Sequence, residues 1–140
     1  MKTLKFTRLV CLVLVVLLAA AALTACKTNT QPKTADGRAI LGEGGKSFNF
    51  DVTFADQHTD GYEIHTDAAT VGEALTELKL ASGDETEYGL YVKTVCGETH
   101  DYDADGMYWA FYIGGEYAVT GVDQTEIETG VTYAFVAEQG

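Results

Sequence analysis

Phe48, Phe50, Val52 and Phe54 alternate with Asn49, Asp51 and Thr53. That period of two commits the segment to a strand with one face in a core. Asp60-Gly61 predicts a turn, and Tyr62 and Ile64 begin a second short strand. The period then changes. Thr70-Val71-Gly72-Glu73 has the form of a capping box, with Val71, Leu75 and Leu78 following at helical spacing. The expectation is one amphipathic helix over Val71–Leu80, ended by Ser82-Gly83-Asp84.

The rest reads as strands. Tyr88, Leu90, Val92 and Thr94 fall on one side of an extended run, with Tyr91, Lys93 and Val95 on the other. Met107 to Ile113 is almost wholly apolar and aromatic, and Gly114-Gly115 suits a tight hairpin leading to Tyr117–Thr120. Thr129-Gly130 is a further turn before Val131–Ala137. Two strands, one helix and three or four more strands make a small α+β domain. A β-grasp-like arrangement, with the helix packed across a mixed sheet, is the specific expectation.

Ahead of this domain, Lys2, Lys5 and Arg8 precede an apolar run that ends in Leu23-Thr24-Ala25-Cys26. This is the layout of a secretory signal, and the run is shorter than the roughly twenty residues of a spanning helix. Leu23-Thr24-Ala25-Cys26 resembles the lipobox of bacterial lipoproteins. The resemblance implies a signal peptide over residues 1–25 and a diacylglyceryl group on the thiol of Cys26. It also implies acylation, such as palmitate, at the new amino end. The protein would then be a lipid-anchored lipoprotein of the cell membrane, on its extracytoplasmic face. Ordinary secretion, with a cut in the Ala19–Ala22 region, is the other reading. Residues 27–46 lack apolar periodicity and carry the single proline, so residues 26–46 read as lipidated cysteine and flexible tether. Residues 47–140 read as the folded domain.

Without residues 1–25, six basic residues face twenty-one acids, a net charge of −15. A domain this acidic repels nucleic acid and anionic lipid. Cys11 leaves with the signal and Cys26 is taken by lipid, so Cys96 has no intrachain partner and the core must hold without a disulfide.

The series Thr70-Val71-Gly72-Glu73-Ala74-Leu75, Glu87-Tyr88-Gly89-Leu90-Tyr91-Val92, Tyr108-Trp109-Ala110-Phe111-Tyr112 and Gly121-Val122-Asp123, closed by Tyr133-Ala134-Phe135, covers nearly all of residues 47–140. It resembles a family of bacterial exported domains similar to the C-terminal β-domain of transcobalamin and gastric intrinsic factor. The resemblance implies cobalamin or another corrinoid as ligand, near the strand Tyr108–Tyr112. Those vitamin binders also have a long helical domain that this chain lacks, so corrinoid binding here implies a partner, a second copy or a much weaker one-sided contact.

Alternation along that strand sends Trp109, Phe111 and Ile113 to one face and Tyr108, Ala110 and Tyr112 to the other. Tyr108, Trp109, Tyr112 and Tyr91 are the candidate ligand-binding residues, with Tyr117 a further neighbour. Tyrosines offer flat area and a polar hydroxyl to a ligand or a protein partner. The same aromatics also suit cross-strand packing.

Asp101-Tyr102-Asp103-Ala104-Asp105-Gly106 matches the first six positions of an EF-hand loop. Asp101, Asp103 and Asp105 are therefore the candidate metal residues, for calcium. The match stops there: the twelfth position is Tyr112, and the same residues serve a polar turn equally well. Cys96 with His100, and His58 with His65, lack the further ligands of a zinc site. No phosphate loop or nucleophile elbow occurs, and the chain does not read as an enzyme. Two functions follow. One is a lipid-anchored extracytoplasmic binding module, with a corrinoid as ligand by resemblance and a partner protein to complete the site. The other is a structural or adhesive surface domain, calcium-stabilised, with no small-molecule ligand.

Overall fold

A computed structural model describes residues 31–140; the leader, Cys26 and the start of the tether lie outside the described residues. In chain order the elements are β1 (Ala39–Gly42), β2 (Lys46–Thr53), β3 (Thr59–Thr66), α1 (Val71–Glu77), β4 (Ala81–Thr86) and β5 (Gly89–Val95). They continue with β6 (Glu98–Thr99), α2 (Tyr102–Asp105), β7 (Met107–Ile113), β8 (Glu116–Tyr117), a 3-10 turn (Val122–Gln124) and β9 (Thr132–Gln139). Six strands form one sheet in the order β1-β3-β2-β9-β7-β8, and β4-β5-β6 form a second, three-stranded sheet. The large sheet is mixed: β1/β3 and β2/β9 run parallel, the other pairs antiparallel. With one main helix against it, this is the expected α+β domain.

Alternation decides the core. Phe48, Phe50 and Val52 of β2, Ile64 of β3 and Phe135 of β9 are buried together with Leu75 of α1. Each such side chain contributes about 1.5–3 kcal/mol of transfer free energy. Tyr133 is buried too, and its phenol is satisfied: it donates to the Glu126 carbonyl at 3.2 Å and accepts from the Glu128 amide at 3.0 Å.

The capping box forms, one residue displaced. Thr70 Oγ1 accepts from the Glu73 amide at 3.2 Å, while the Glu73 carboxylate accepts from the Ala69 amide, not that of Thr70, at 2.9 Å. The helix is shorter than its apolar spacing suggests. Lys79 takes a left-handed conformation, φ 57°, and the Leu80 amide bonds back to the Leu75 carbonyl at 2.8 Å. That Schellman closure ends the helix at Glu77, and Leu78 packs from the turn beyond it.

Three expectations are corrected. Asp60-Gly61 lies inside β3, opposite Val52 and Asp51, because the pairs Phe48/Ile64 and Phe50/Tyr62 fix a register that puts the turn at 55–58. Ser82-Gly83-Asp84 is not a helix stop but part of β4, bulged between Ser82 and Gly83 against β5. The folded part also begins before residue 47. Ala39–Gly42 pairs in parallel with Tyr62–His65, and Arg38 reaches across Gly61 to the carboxylate of Asp51. Residues 39–42 are thus an edge strand rather than tether. Among the described residues no helix is long and apolar enough to cross a membrane.

Candidate ligand-binding cleft

Strand β7 carries the site. Its odd residues turn inward: Trp109 and Phe111 are buried, and the Trp109 ring meets Phe54 edge-on at 6.2 Å. The buried indole N–H donates to the Lys93 carbonyl at 3.0 Å, fixing the ring against β5. Tyr108 and Tyr112 take the opposite face, as the alternation predicts, with Ala110 buried between them. Tyr108 and Tyr112 are half-buried, and both phenols donate to the carboxylate of Glu138 on β9, at 3.2 and 2.5 Å. Burial and then the Glu138 carboxylate push the Tyr108 phenol up to about 12. The hydrogen bond to Glu138 is the main cause of the rise at Tyr112. Both phenols therefore stay neutral donors at physiological pH.

Gly114 and Gly115 turn the chain at φ 58° and 86°, so β8 folds back with Tyr117 opposite Tyr112. Their rings meet edge-on at 5.6 Å. Tyr91 comes from the other sheet and is 39% exposed, with the Lys93 ammonium 5.8 Å from its ring centroid. A cleft of about 230 Å³ opens between the two sheets, lined by Tyr91, Tyr108, Trp109, Phe111, Tyr117 and Val122. Three of the four candidate residues thus meet at one cleft. Tyr112 is not in its wall and stands one ring away, behind Tyr117.

Leu90 joins this cleft to a second one of about 440 Å³, between α1 and the β4–β5 hairpin. The second cleft is lined by Glu73, Glu77, Glu85 and Asp123 together with Thr70 and Thr76. The Asp123 carboxylate lies against Gly89 and Gly121, where a Cβ would approach it to 2.6 and 2.9 Å. Its Oδ1 is buried without a hydrogen-bond partner.

The acidic loop is corrected. Asp101, Asp103 and Asp105 do not converge as an EF-hand does, because each of the outer two has another partner. Asp101 caps α2 through the Asp103 amide at 3.1 Å and pairs with Lys93 at 2.9 Å; Lys93 also holds Asp84 at 2.7 Å. Asp105 accepts from the Met107 amide and from His100, both at 2.9 Å. Lys93 and His100 respectively hold these two carboxyls below the usual range. Gly106, at φ 70°, closes the short helix instead of bending a metal loop. Among the described residues no group of three or more His, Cys, Asp or Glu is placed to hold a metal ion.

The other titratable candidates have separate surroundings. Cys96 and Gly97, at φ 47° and 87°, form the two-residue turn between β5 and β6. Burial pushes the Cys96 thiol up, although a hydrogen bond with Tyr62 opposes it, so this is no activated nucleophile. His58 stacks on Phe54 at 4.2 Å and pairs with Asp56; His65 pairs with Glu63 at 2.6 Å. His100 is 8% exposed and lies between two carboxylates, Glu98 at 2.6 Å and Asp105 at 2.9 Å. Glu138 was not legible as a site residue; its role comes from cross-strand register, which no local spacing announces.

No protein-family model and no curated protein matches the chain. Among solved structures, the chain is similar to a "putative metal binding protein" from Ruminococcus gnavus ATCC 29149. The two are 34% identical with a TM-score of 0.65, over 69% of this chain and 99% of that one. It is also similar in fold to haptocorrin in complex with Cbi, at 15% identity and a TM-score of 0.51. That likeness spans 71% of this chain but 26% of haptocorrin.

Proposed function

The chain belongs to the family of the Ruminococcus gnavus protein, and from that premise we propose that it is an extracytoplasmic binding module held to the membrane by lipid at Cys26. Its recognition surface is the aromatic cleft with the tyrosines at its mouth. The observation that carries this is the meeting of Tyr91 from one sheet with Tyr108, Trp109 and Tyr117 from the other around about 230 Å³. Rings from two sheets do not need to meet in order to stabilise either sheet, whereas a flat ligand needs that convergence.

A corrinoid is the ligand class favoured by the likeness to haptocorrin, whose structure holds Cbi. The cleft is smaller than the roughly 300–1,000 Å³ of a small-molecule pocket. It therefore receives one edge of such a ligand, with the body of the ring on the outer tyrosines. A partner or second copy covers the remainder, a role consistent with the chain spanning 26% of haptocorrin.

Metal binding, the property in the description of the Ruminococcus gnavus protein, has less support here. The Asp101 and Asp105 carboxylates are held by Lys93 and His100. No catalytic role is proposed: burial pushes the Cys96 thiol up, and both ring nitrogens of His100 are engaged by Glu98 and Asp105.

The test is a titration of the purified protein with cyanocobalamin and with cobinamide, followed by corrinoid absorbance and by calorimetry. Saturable changes in both support the reading, and silence of both at millimolar ligand overturns its corrinoid version. Mass spectrometry of the mature amino terminus tests the anchor, with a diacylglyceryl-modified Cys26 as the expected product.

A further inference from the structure

We propose that the aromatic cleft selects its ligand by hydrogen-bond polarity and charge: it takes a flat group that offers N–H donors and carries no negative charge, and it turns away the matching carboxylate. The inference rests on the reading of the cleft as the binding surface and adds the class of ligand.

The polarity is set from behind the wall. Glu138 stands opposite Tyr108 in the β7–β9 pairing. Its two carboxylate oxygens are divided between two phenols, Oε2 accepting from Tyr108 at 3.2 Å and Oε1 from Tyr112 at 2.5 Å. A phenol has one hydrogen to donate and lone pairs with which to accept. With its hydrogen turned to Glu138, Tyr108 offers the cleft its oxygen lone pairs. Burial and the carboxylate both keep that proton on the phenol. The bond to Tyr112 anchors Glu138 by its second oxygen, so the arrangement is held from two sides.

Charge works in the same direction. Glu138 places a carboxylate one hydrogen bond behind Tyr108. Among the described residues, neither this cleft nor the one joined to it through Leu90 has a lysine or arginine in its wall. Asp123, whose Oδ1 is buried with no hydrogen-bond partner, lies in the wall of the second. Lys93, beside the Tyr91 ring, is held by Asp84 at 2.7 Å and by Asp101 at 2.9 Å, so its charge is already met.

The two effects add. A carboxylate brought to Tyr108 sets lone pairs against lone pairs, with a like charge close behind. An amide N–H finds instead an acceptor that is strengthened by its own donation to a carboxylate. The aromatic walls supply area to any flat group, and Glu138 decides which flat group stays.

Three probes of one shape separate these effects: benzamidine is a cation at neutral pH, benzamide is neutral and benzoate is an anion. Each is titrated into the isotopically labelled protein in raised salt, which screens the overall acidity of the chain. The Trp109 indole and Tyr108 resonances are followed. Benzamide and benzamidine are expected to move them saturably, with affinity at least about tenfold above that of benzoate. Glu138→Gln removes the charge and one of the two acceptor oxygens, and the preference for benzamide over benzoate shrinks several-fold. Tyr108→Phe, which keeps the ring and loses the acceptor, weakens the same preference. Glu43→Gln removes an equal charge beside β1, at the far edge of the large sheet, and leaves the preference unchanged.

Benzoate bound as tightly as benzamide, silence of all three probes, or a preference indifferent to both Glu138→Gln and Tyr108→Phe overturns the proposal. Tyr108→Phe keeps Glu138 in place, so the test survives a Glu138→Gln protein that fails to fold. Cobinamide separates this selectivity from the reading beneath it. A cleft that binds cobinamide without preference among the probes loses the selectivity and keeps the corrinoid; one that discriminates among the probes and ignores cobinamide does the reverse.

Discussion

The guanidinium of Arg38 grips the carboxylate of Asp51 through two nitrogens, across a glycine that leaves it room. This contact fastens a segment that reads as linker to the second strand of the sheet. Both partners are largely shielded, at 21% and 28% exposure, so the pair contributes more than a typical surface ion pair. Arg38→Ala is expected to lower stability by about 1 kcal/mol in urea unfolding, a difference that narrows in high salt because screening weakens the wild-type pair. An unchanged midpoint would show that the edge strand is held by its backbone pairing alone.

Thr70 Oγ1 accepts from the Glu73 amide at the start of α1. Thr70→Ala removes that cap and is expected to cost about 1 kcal/mol. In a domain of this size the melting temperature falls by roughly 4–8 °C. Thermal unfolding followed by far-ultraviolet circular dichroism reads it, and Thr70→Ser should recover most of the loss.

Much of the fold was legible because its signals are local. The alternation from Phe48 to Phe54, the cap at Thr70 and the Gly114-Gly115 turn each sit within a few residues of their effect. Strand β4 was not legible for a physical reason: Ser82 to Thr86 is exposed on both faces, so no alternation marks it. It is a strand only because β5 pairs with it. Strand β1 depends on a parallel partner beginning at Tyr62, far along the chain. The inward and outward faces of β7 were readable from its period of two. That Tyr91 and Tyr108 line one cleft, while Tyr112 does not, depends on how two sheets lie together.

Gly83 tests that missing strand. At the β4 bulge an added Cβ would come within 1.8 Å of the Tyr91 carbonyl oxygen, a backbone atom that cannot swing aside. Gly83→Ala is expected to destabilise by roughly 1–3 kcal/mol and to displace Tyr91. Unfolding curves give the first effect, and a weakened Trp109 response to added ligand gives the second. A neutral substitution would mean that the hairpin can shift its register freely.

The acidic loop looked like a calcium site because its spacing is right, and spacing does not reveal that Lys93 and His100 compete for the outer carboxylates. With those pairs in place, millimolar calcium is expected to leave the melting temperature unchanged, and Asp103→Asn to be close to neutral. Asp101→Ala should destabilise, since it removes both a helix cap and the partner of Lys93. A calcium-dependent rise in melting temperature that disappears in Asp103→Asn would restore the metal reading.

Resonance mapping shows directly whether a corrinoid sits on the aromatic cleft. Amide and indole resonances of the isotopically labelled protein are followed while cobinamide is added. Shifts are expected to concentrate at Tyr91, Tyr108, the Trp109 indole N–H, Tyr117 and Val122, with affinity reduced about tenfold or more in Tyr91→Ala and Tyr108→Ala when their cores stay folded. Saturable shifts centred elsewhere, or affinity indifferent to both substitutions, would contradict that placement.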